Sequence, residues 1–124
     1  MAASNERVRE VVERYVRLVA TGTADEIVAL YAEHATLEDP VGADVLRGRE
    51  AIRGFYAAIE PLRTETRLLT LRVAAGEAAF HFEVTTITDD ATFALAPIEV
   101  MTFDEDARIT SMRAWWSDTD MVVS

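Results

Sequence analysis

The chain has 124 residues, half of them hydrophobic, with no cysteine and a formal net charge of −10. That length fits one domain, residues 1–124, large enough to bury a genuine core, and the apolar content excludes wholesale disorder. The charge argues against nucleic acid and anionic membrane as partners. The missing cysteine excludes disulfides, thiol catalysis and thiolate metal sites, and the missing lysine excludes a Schiff base, all 12 basic side chains being arginine.

Two histidines, His34 and His81, are too few for a histidine-built metal centre. No apolar run reaches the roughly 20 residues of a membrane span. The segment Met1-Ala2-Ala3-Ser4-Asn5-Glu6 lacks the basic and apolar pattern of a signal peptide, so a cytoplasmic location is expected.

In chain order, Ser4 or Asn5 can cap a first helix, on which Val8, Val11, Val12, Tyr15, Val16 and Val19 recur at helical spacing. Gly22 ends it. Thr23 and Glu26 form a capping box that opens a second helix, expected to run to about Ala32 and to bury Ile27, Leu30 and Tyr31. A short extended piece, Ala35 to Asp39, precedes Pro40, which disfavours helix at Asp39. Gly42 to Gly48 reads as a loop and Arg49 to about Ile59 as a third helix, closed by Pro61.

The hydrophobic period then changes to two. Arg67, Leu69, Leu71 and Val73 are expected on one strand face. Ala75-Gly76 turns the chain, and Ala78, Phe80, Phe82 and Val84 share the face of the next strand. After a turn at Thr88-Asp89-Asp90, Phe93, Leu95, Pro97, Glu99, Met101 and Phe103 share a face; beyond Asp104-Glu105-Asp106, so do Met112, Ala114 and Trp116. Four strands joined by short turns make an antiparallel meander. Three helices followed by such a sheet read as an α+β fold with the helices on one face.

Three polar residues fall on inward faces. Glu99 sits among Phe93, Leu95, Pro97, Met101 and Phe103. Either it faces the core, where burial disfavours its ionised form and leaves a neutral acid able to donate a hydrogen bond, or an edge or bulge turns it to water. Tyr15 lies on the apolar stripe of the first helix, as a core tyrosine bonded to some carbonyl or as a hydroxyl donor in a site. Asp39 shares parity with Ala35 and Leu37, and serves as a turn-initiating residue before Pro40 or as a general base. Tyr31 and Tyr56 also fall on apolar helical faces, so all three tyrosines are candidates for one inner hydroxyl network. His34 and His81 read as surface or interface residues. Trp115 has outward parity and suggests a protein contact.

The segments Arg14-Tyr15-Val16, Ala35-Thr36-Leu37-Glu38-Asp39-Pro40-Val41-Gly42, Phe55-Tyr56-Ala57, Ala96-Pro97-Ile98-Glu99 and Ser111-Met112-Arg113-Ala114 resemble, in order and spacing, the bacterial Δ5-3-ketosteroid isomerases. These belong to a wider nuclear-transport-factor-2-like superfamily. The resemblance implies a cone-shaped fold with a curved, mainly antiparallel sheet, a deep apolar pocket, a homodimer, a small-molecule steroid substrate and no cofactor or metal. It implies Asp39 as catalytic base, Tyr15 as main oxyanion donor, and Tyr31 and Tyr56 as supports of that donor. It places Phe55, Phe82, Val84, Met112 and Trp116 around the steroid. One carboxyl kept ionised and another kept neutral is the division of labour for which ketosteroid isomerases are known.

One position departs from that pattern: the family's second donor is an aspartic acid, and here it is Glu99. The extra methylene either displaces the proton donor by about an ångström, at a cost of about 10²-fold in rate, or folds back and donates equally well. Two other readings stand beside the isomerase. One is a different enzyme of the superfamily, an epoxide hydrolase or polyketide cyclase, for which an inward-facing arginine would speak. The other is a non-catalytic steroid- or lipid-binding module.

Overall fold

The computed structural model describes residues 1–124. The first helix, α1 (Asn5–Thr21), is capped by the Ser4 side chain, which accepts from the Arg7 amide, and ends where the Gly22 amide bonds to the Leu18 carbonyl. Its buried stripe is Val8, Val12, Tyr15 and Val16. The expected capping box opens α2, with both reciprocal bonds between Thr23 and Glu26 present. This helix spans only Ala24–Val28. Leu30 and Tyr31 do not continue it: Tyr31 begins the strand β1 (Tyr31–Glu38), which is longer than the extended piece expected from Ala35. Tyr31 is fully buried there, so tertiary packing overrides the helical spacing. Within the expected loop, Leu46–Arg47 form a short strand β2 against β1. Helix α3 (Arg49–Ile59) has the expected bounds and buries Ile52 and Tyr56.

The remaining chain forms β3 (Arg63–Ala74), β4 (Glu77–Ile87), β5 (Thr92–Leu95), β6 (Ile98–Phe103), β7 (Ile109–Trp115) and a short C-terminal β8 (Val122–Val123). The sheet order is β2-β1-β7-β6-β4-β5-β8, with β3 paired to the long β4. All pairings are antiparallel except β1 with β7. The β3–β4 turn places Ala75 at φ 51° and Gly76 at φ 76°. Two positive values in succession suit a tight hairpin and favour glycine at the second.

The parity expected for β3 is corrected by a bulge. Its register against β4 shifts between Leu68 and Thr70. Leu68 therefore joins Leu71 and Val73 in packing on the core, while Leu69 is exposed. A bulge inserts one residue without any mark in an alternating pattern. The strand expected to run through Phe93 and Phe103 is likewise two, β5 and β6, broken around Pro97, which has no amide for a ladder. Both pieces pair with β4, β5 along Val84–Ile87 and β6 along Glu77–His81.

Helices α1 and α3 cover the inner face of the sheet. The core between them is Val8, Val12, Ile52, Leu37, Phe80, Met101, Ile109 and Met112, each at most 1% exposed. Burying such side chains contributes roughly 1.5–3 kcal/mol apiece. This packing fills one end of the space between the layers and leaves the other end open.

Candidate active site

At the open end lies a cavity of about 200 Å³. α1 contributes Tyr15 and Val19 to its wall, and α3 contributes Phe55, Tyr56 and Ile59. The sheet contributes Phe82, Val84, Leu95 and Glu99, and Pro97 joins them from the break between β5 and β6; Asp39 and Trp116 complete it from just beyond β1 and β7. Of the residues expected at a site, Tyr15, Asp39, Glu99, Tyr56, Phe55, Phe82, Val84 and Trp116 all reach this one cavity. Tyr31 meets it only through Tyr56. Met112, expected in the wall, lies in the core instead, in register with Leu37 on β1 and Met101 on β6 and with no exposed surface. Its parity is inward, as expected, but parity gives a face and not a depth.

The tyrosine hydroxyls form a chain with a direction. Tyr31 and Tyr56 hydroxyls are 2.6 Å apart, and Tyr56 donates to Tyr15 at 3.2 Å. Tyr56 spends its proton on Tyr15, so Tyr31 donates to Tyr56 and the Tyr15 proton is left for the cavity. Edge-on contacts with Phe80 and Phe82, ring centroids 6.2 Å away in each case, hold the Tyr15 ring. Burial, followed by the nearby Glu99 carboxyl, pushes the Tyr15 pKa well above the ordinary phenol value. Tyr15 is thus a neutral donor, polarised through the hydroxyls behind it.

Glu99 is 3% exposed and is the one charged-type side chain in the buried set. In register it sits between Phe80 on β4 and Ala114 on β7, the apolar setting that its parity indicated. Its Oε1 is buried without a hydrogen-bond partner. Burial raises its pKa well above the usual carboxyl range, and the neighbouring Asp39 charge raises it further. The Tyr15 hydroxyl offsets only a lesser part. An ionised carboxylate left unpaired in such surroundings costs far more than a proton.

Asp39 has a different setting. It is partly buried, and its Oδ1 accepts a 2.7 Å hydrogen bond from the indole Nε1 of Trp116. Burial raises its pKa, and this bond, which favours the ionised form, lowers it. Only one carboxylate oxygen is engaged, which leaves Oδ2 free. Next to it, Glu38 points to the other side of β1 and pairs with Arg113 at 2.8 Å. The Trp116 contact was not legible in the sequence. It depends on the parallel pairing of β1 with β7, in which Glu38 stands opposite Arg113.

His34 is exposed and His81 half-buried, and neither borders the cavity. His81 stands on the outer sheet face beside Ile98, which is itself in register with Trp115. Ile98 and Trp115 are both exposed. The Arg113 guanidinium lies 4.8 Å from the Trp115 ring centroid. No group of His, Asp and Glu side chains is placed to hold a metal ion, and no helix is long and apolar enough to cross a membrane.

Three helices on one face of a twisted sheet, with an apolar cavity opening between the layers and acids and phenols at its floor, define a class of small α+β pocket domains. The chain belongs to the SnoaL-like family, whose domain model matches residues 12–112. A relative from Nocardioides simplex, 54% identical over 94% of this chain and 95% of its own, is a steroid Delta-isomerase. Among solved structures, the epoxide hydrolase/cyclase-like enzyme SalBIII, involved in pyran ring formation in the polyether salinomycin, superposes with a TM-score of 0.89 at 28% identity, covering 96% of this chain and 97% of its own. RV0760c from Mycobacterium tuberculosis superposes equally well, at 0.89, over 98% of this chain and 99% of its own; at 18% identity it speaks for the fold alone.

Proposed function

We propose that the protein isomerises Δ5-3-ketosteroids to their conjugated Δ4 isomers, with Asp39 as base and Tyr15 and Glu99 as donors to the oxyanion. The observation that carries this reading is the pair of carboxyls on one cavity: Glu99 buried with its Oε1 unpaired beside the Tyr15 phenol, and Asp39 held by Trp116 with an oxygen to spare. The 54% identity to a steroid Delta-isomerase supports the same chemistry.

In the first step, ionised Asp39 removes a proton from carbon 4 of the substrate. The electron pair moves into the ring and leaves a dienolate with its negative charge on the former carbonyl oxygen. Tyr15 and neutral Glu99 hydrogen-bond that oxygen in a site with little water, where such bonds count most. Protonated Asp39 then returns the proton to carbon 6, which forms the conjugated ketone and restores the carboxylate. The reaction moves one proton and needs no redox partner. Glu99 suits the donor role because its surroundings already keep the proton on it.

The sterol-binding wall is Phe55, Phe82, Val84 and Trp116, with Val19, Ile59, Leu95 and Pro97. A cyclase- or epoxide-hydrolase-like reading draws on the likeness to SalBIII. It is the weaker one, since no arginine borders the cavity to polarise an epoxide or water. The outer sheet face, with Ile98 and Trp115 exposed in register, is the surface we assign to a homodimer.

The test is an ultraviolet assay with 5-androstene-3,17-dione, following growth of the conjugated enone. A fast signal that collapses in Asp39→Asn supports the isomerase and its base together. No signal above that variant, from folded wild-type protein, overturns the reading.

A further inference from the structure

The cavity is polar at one end only. Its polar groups belong to Tyr15, Asp39, Tyr56, Glu99 and Trp116, and every other lining residue is apolar. A substrate anchored by its ketone therefore meets nothing but hydrocarbon further out. The volume of about 200 Å³ is also small beside the roughly 300–1,000 Å³ of sites that envelop a drug-sized ligand. A four-ring ketone seated on Tyr15 and Glu99 extends beyond the wall.

Past the wall, the sheet continues it. Val84 on β4 and Leu95 on β5 are paired and both line the cavity. The next pair on the same face is Thr86 with Phe93, and Phe93 is paired in turn with Val123 on β8. Residues directly opposite share a face, and alternate residues along a strand share it too. Phe93 and Val123 thus extend the surface that Val84 and Leu95 begin, by about 7 Å along β5 and about 5 Å across to β8. Phe93 is 37% exposed and Val123 is 58% exposed. An exposed aromatic next to an exposed valine is not required by a two-residue edge strand, whose own bonds are backbone pairs to β5 and between Thr92 and Ser124.

We infer that Phe93 and Val123 form a shelf for an aliphatic side chain carried by the steroid at the end opposite its ketone. The inference rests on the proposed isomerase reading and narrows its substrate class to sterol-derived 3-ketones that keep such a chain. The occupant is argued from continuity: the shelf is the cavity's own wall carried outward. Its surroundings select an uncharged chain. Asp89 and Asp90 stand in the turn that leads into β5, and Asp118 and Asp120 in a single 3-10 turn of helix just before β8. These four acids oppose a side chain ending in a carboxylate.

The experiment compares two unreactive products, 4-cholesten-3-one with an eight-carbon side chain and 4-androstene-3,17-dione with none. Each is delivered from cyclodextrin, and binding is read by tryptophan fluorescence, Trp116 being in the cavity wall. Wild-type protein is expected to bind the long steroid at least about tenfold more tightly, the factor that a few additional buried methylenes bring. The double variant Phe93→Ser/Val123→Ser is expected to lose that preference and keep its affinity for the short steroid. Equal affinities in the wild type overturn the shelf, whatever the variant does. So does an equal fall for both steroids, or self-association through this face that the variant abolishes while the preference stays. Turnover of 5-cholesten-3-one and 5-androstene-3,17-dione separates the two claims. Preference in binding without isomerisation of either keeps the shelf and removes the isomerase, whereas isomerisation of the short steroid without preference does the reverse.

Discussion

The two sides of the cavity's polar end treat the same functional group in opposite ways. At the floor, Glu99 is packed between Phe80 and Ala114 and its Oε1 finds no partner. On the other side of that polar end, Asp39 is only partly buried and receives the Trp116 indole hydrogen. Burial raises both pKa values, but the Asp39 charge raises that of Glu99 further, while the Trp116 donor favours the ionised form of Asp39. The proton therefore resides on Glu99 and leaves Asp39 first.

The largest expected break in this contrast comes at Asp39. Asp39→Asn removes the proposed base and is expected to lower kcat by about 10³–10⁴-fold, with steroid binding retained, as measured by steady-state kinetics and equilibrium titration. At the floor, Tyr15→Phe removes one proposed oxyanion donor and is expected to cost about 10²–10³-fold in kcat. Tyr56→Phe, which leaves that donor in place and severs only its support, is expected to cost less than Tyr15→Phe in the same assay.

Trp116→Phe sharpens the comparison without deleting either carboxyl. It removes the bond that lowers the Asp39 pKa, so the acid limb of the kcat/KM profile is expected to move upward by about one pH unit. That is the scale of one hydrogen bond to a charged group. An unmoved limb with reduced activity would mean that Trp116 only packs against substrate.

Glu99→Gln tests the floor through stability. Glu99 has a raised pKa in the fold and an ordinary one, about 4.3, in the unfolded chain. Its contribution to stability is complete below the unfolded value and is lost as pH rises through the folded one. Glutamine cannot ionise and escapes that loss. The variant is expected to melt roughly 4 °C above wild type at pH 8 and level with it at pH 4, while its turnover falls.

How much of this was legible in sequence differs residue by residue. Glu99 was the plainest signal, because a period-two pattern assigns a face to each residue and an acid stood on an otherwise apolar one. Tyr15 followed from the helical period in the same way. Local rules also gave the caps of α1 and α2 and the bounds of α3. What failed depends on contacts distant in sequence or on backbone irregularity. Tyr31 belongs to a strand because β1 pairs with β7, some 75 positions further along. Leu69 faces out because of a bulge. Met112 and Trp116 have the same inward parity, yet one lies in the core and the other reaches Asp39, since depth is set by what the helices cover.

The central claim is that one cavity holds a neutral Glu99 and an ionised Asp39 at neutral pH. Difference infrared spectroscopy of the wild type against Glu99→Gln tests it directly. The account predicts that the protonated carboxyl stretch present in the wild type at pH 7 disappears in the variant, while no such band is lost in Asp39→Asn. A carboxylate band lost in Glu99→Gln instead would show that Glu99 is ionised, and the assignment of donor and base would be contradicted.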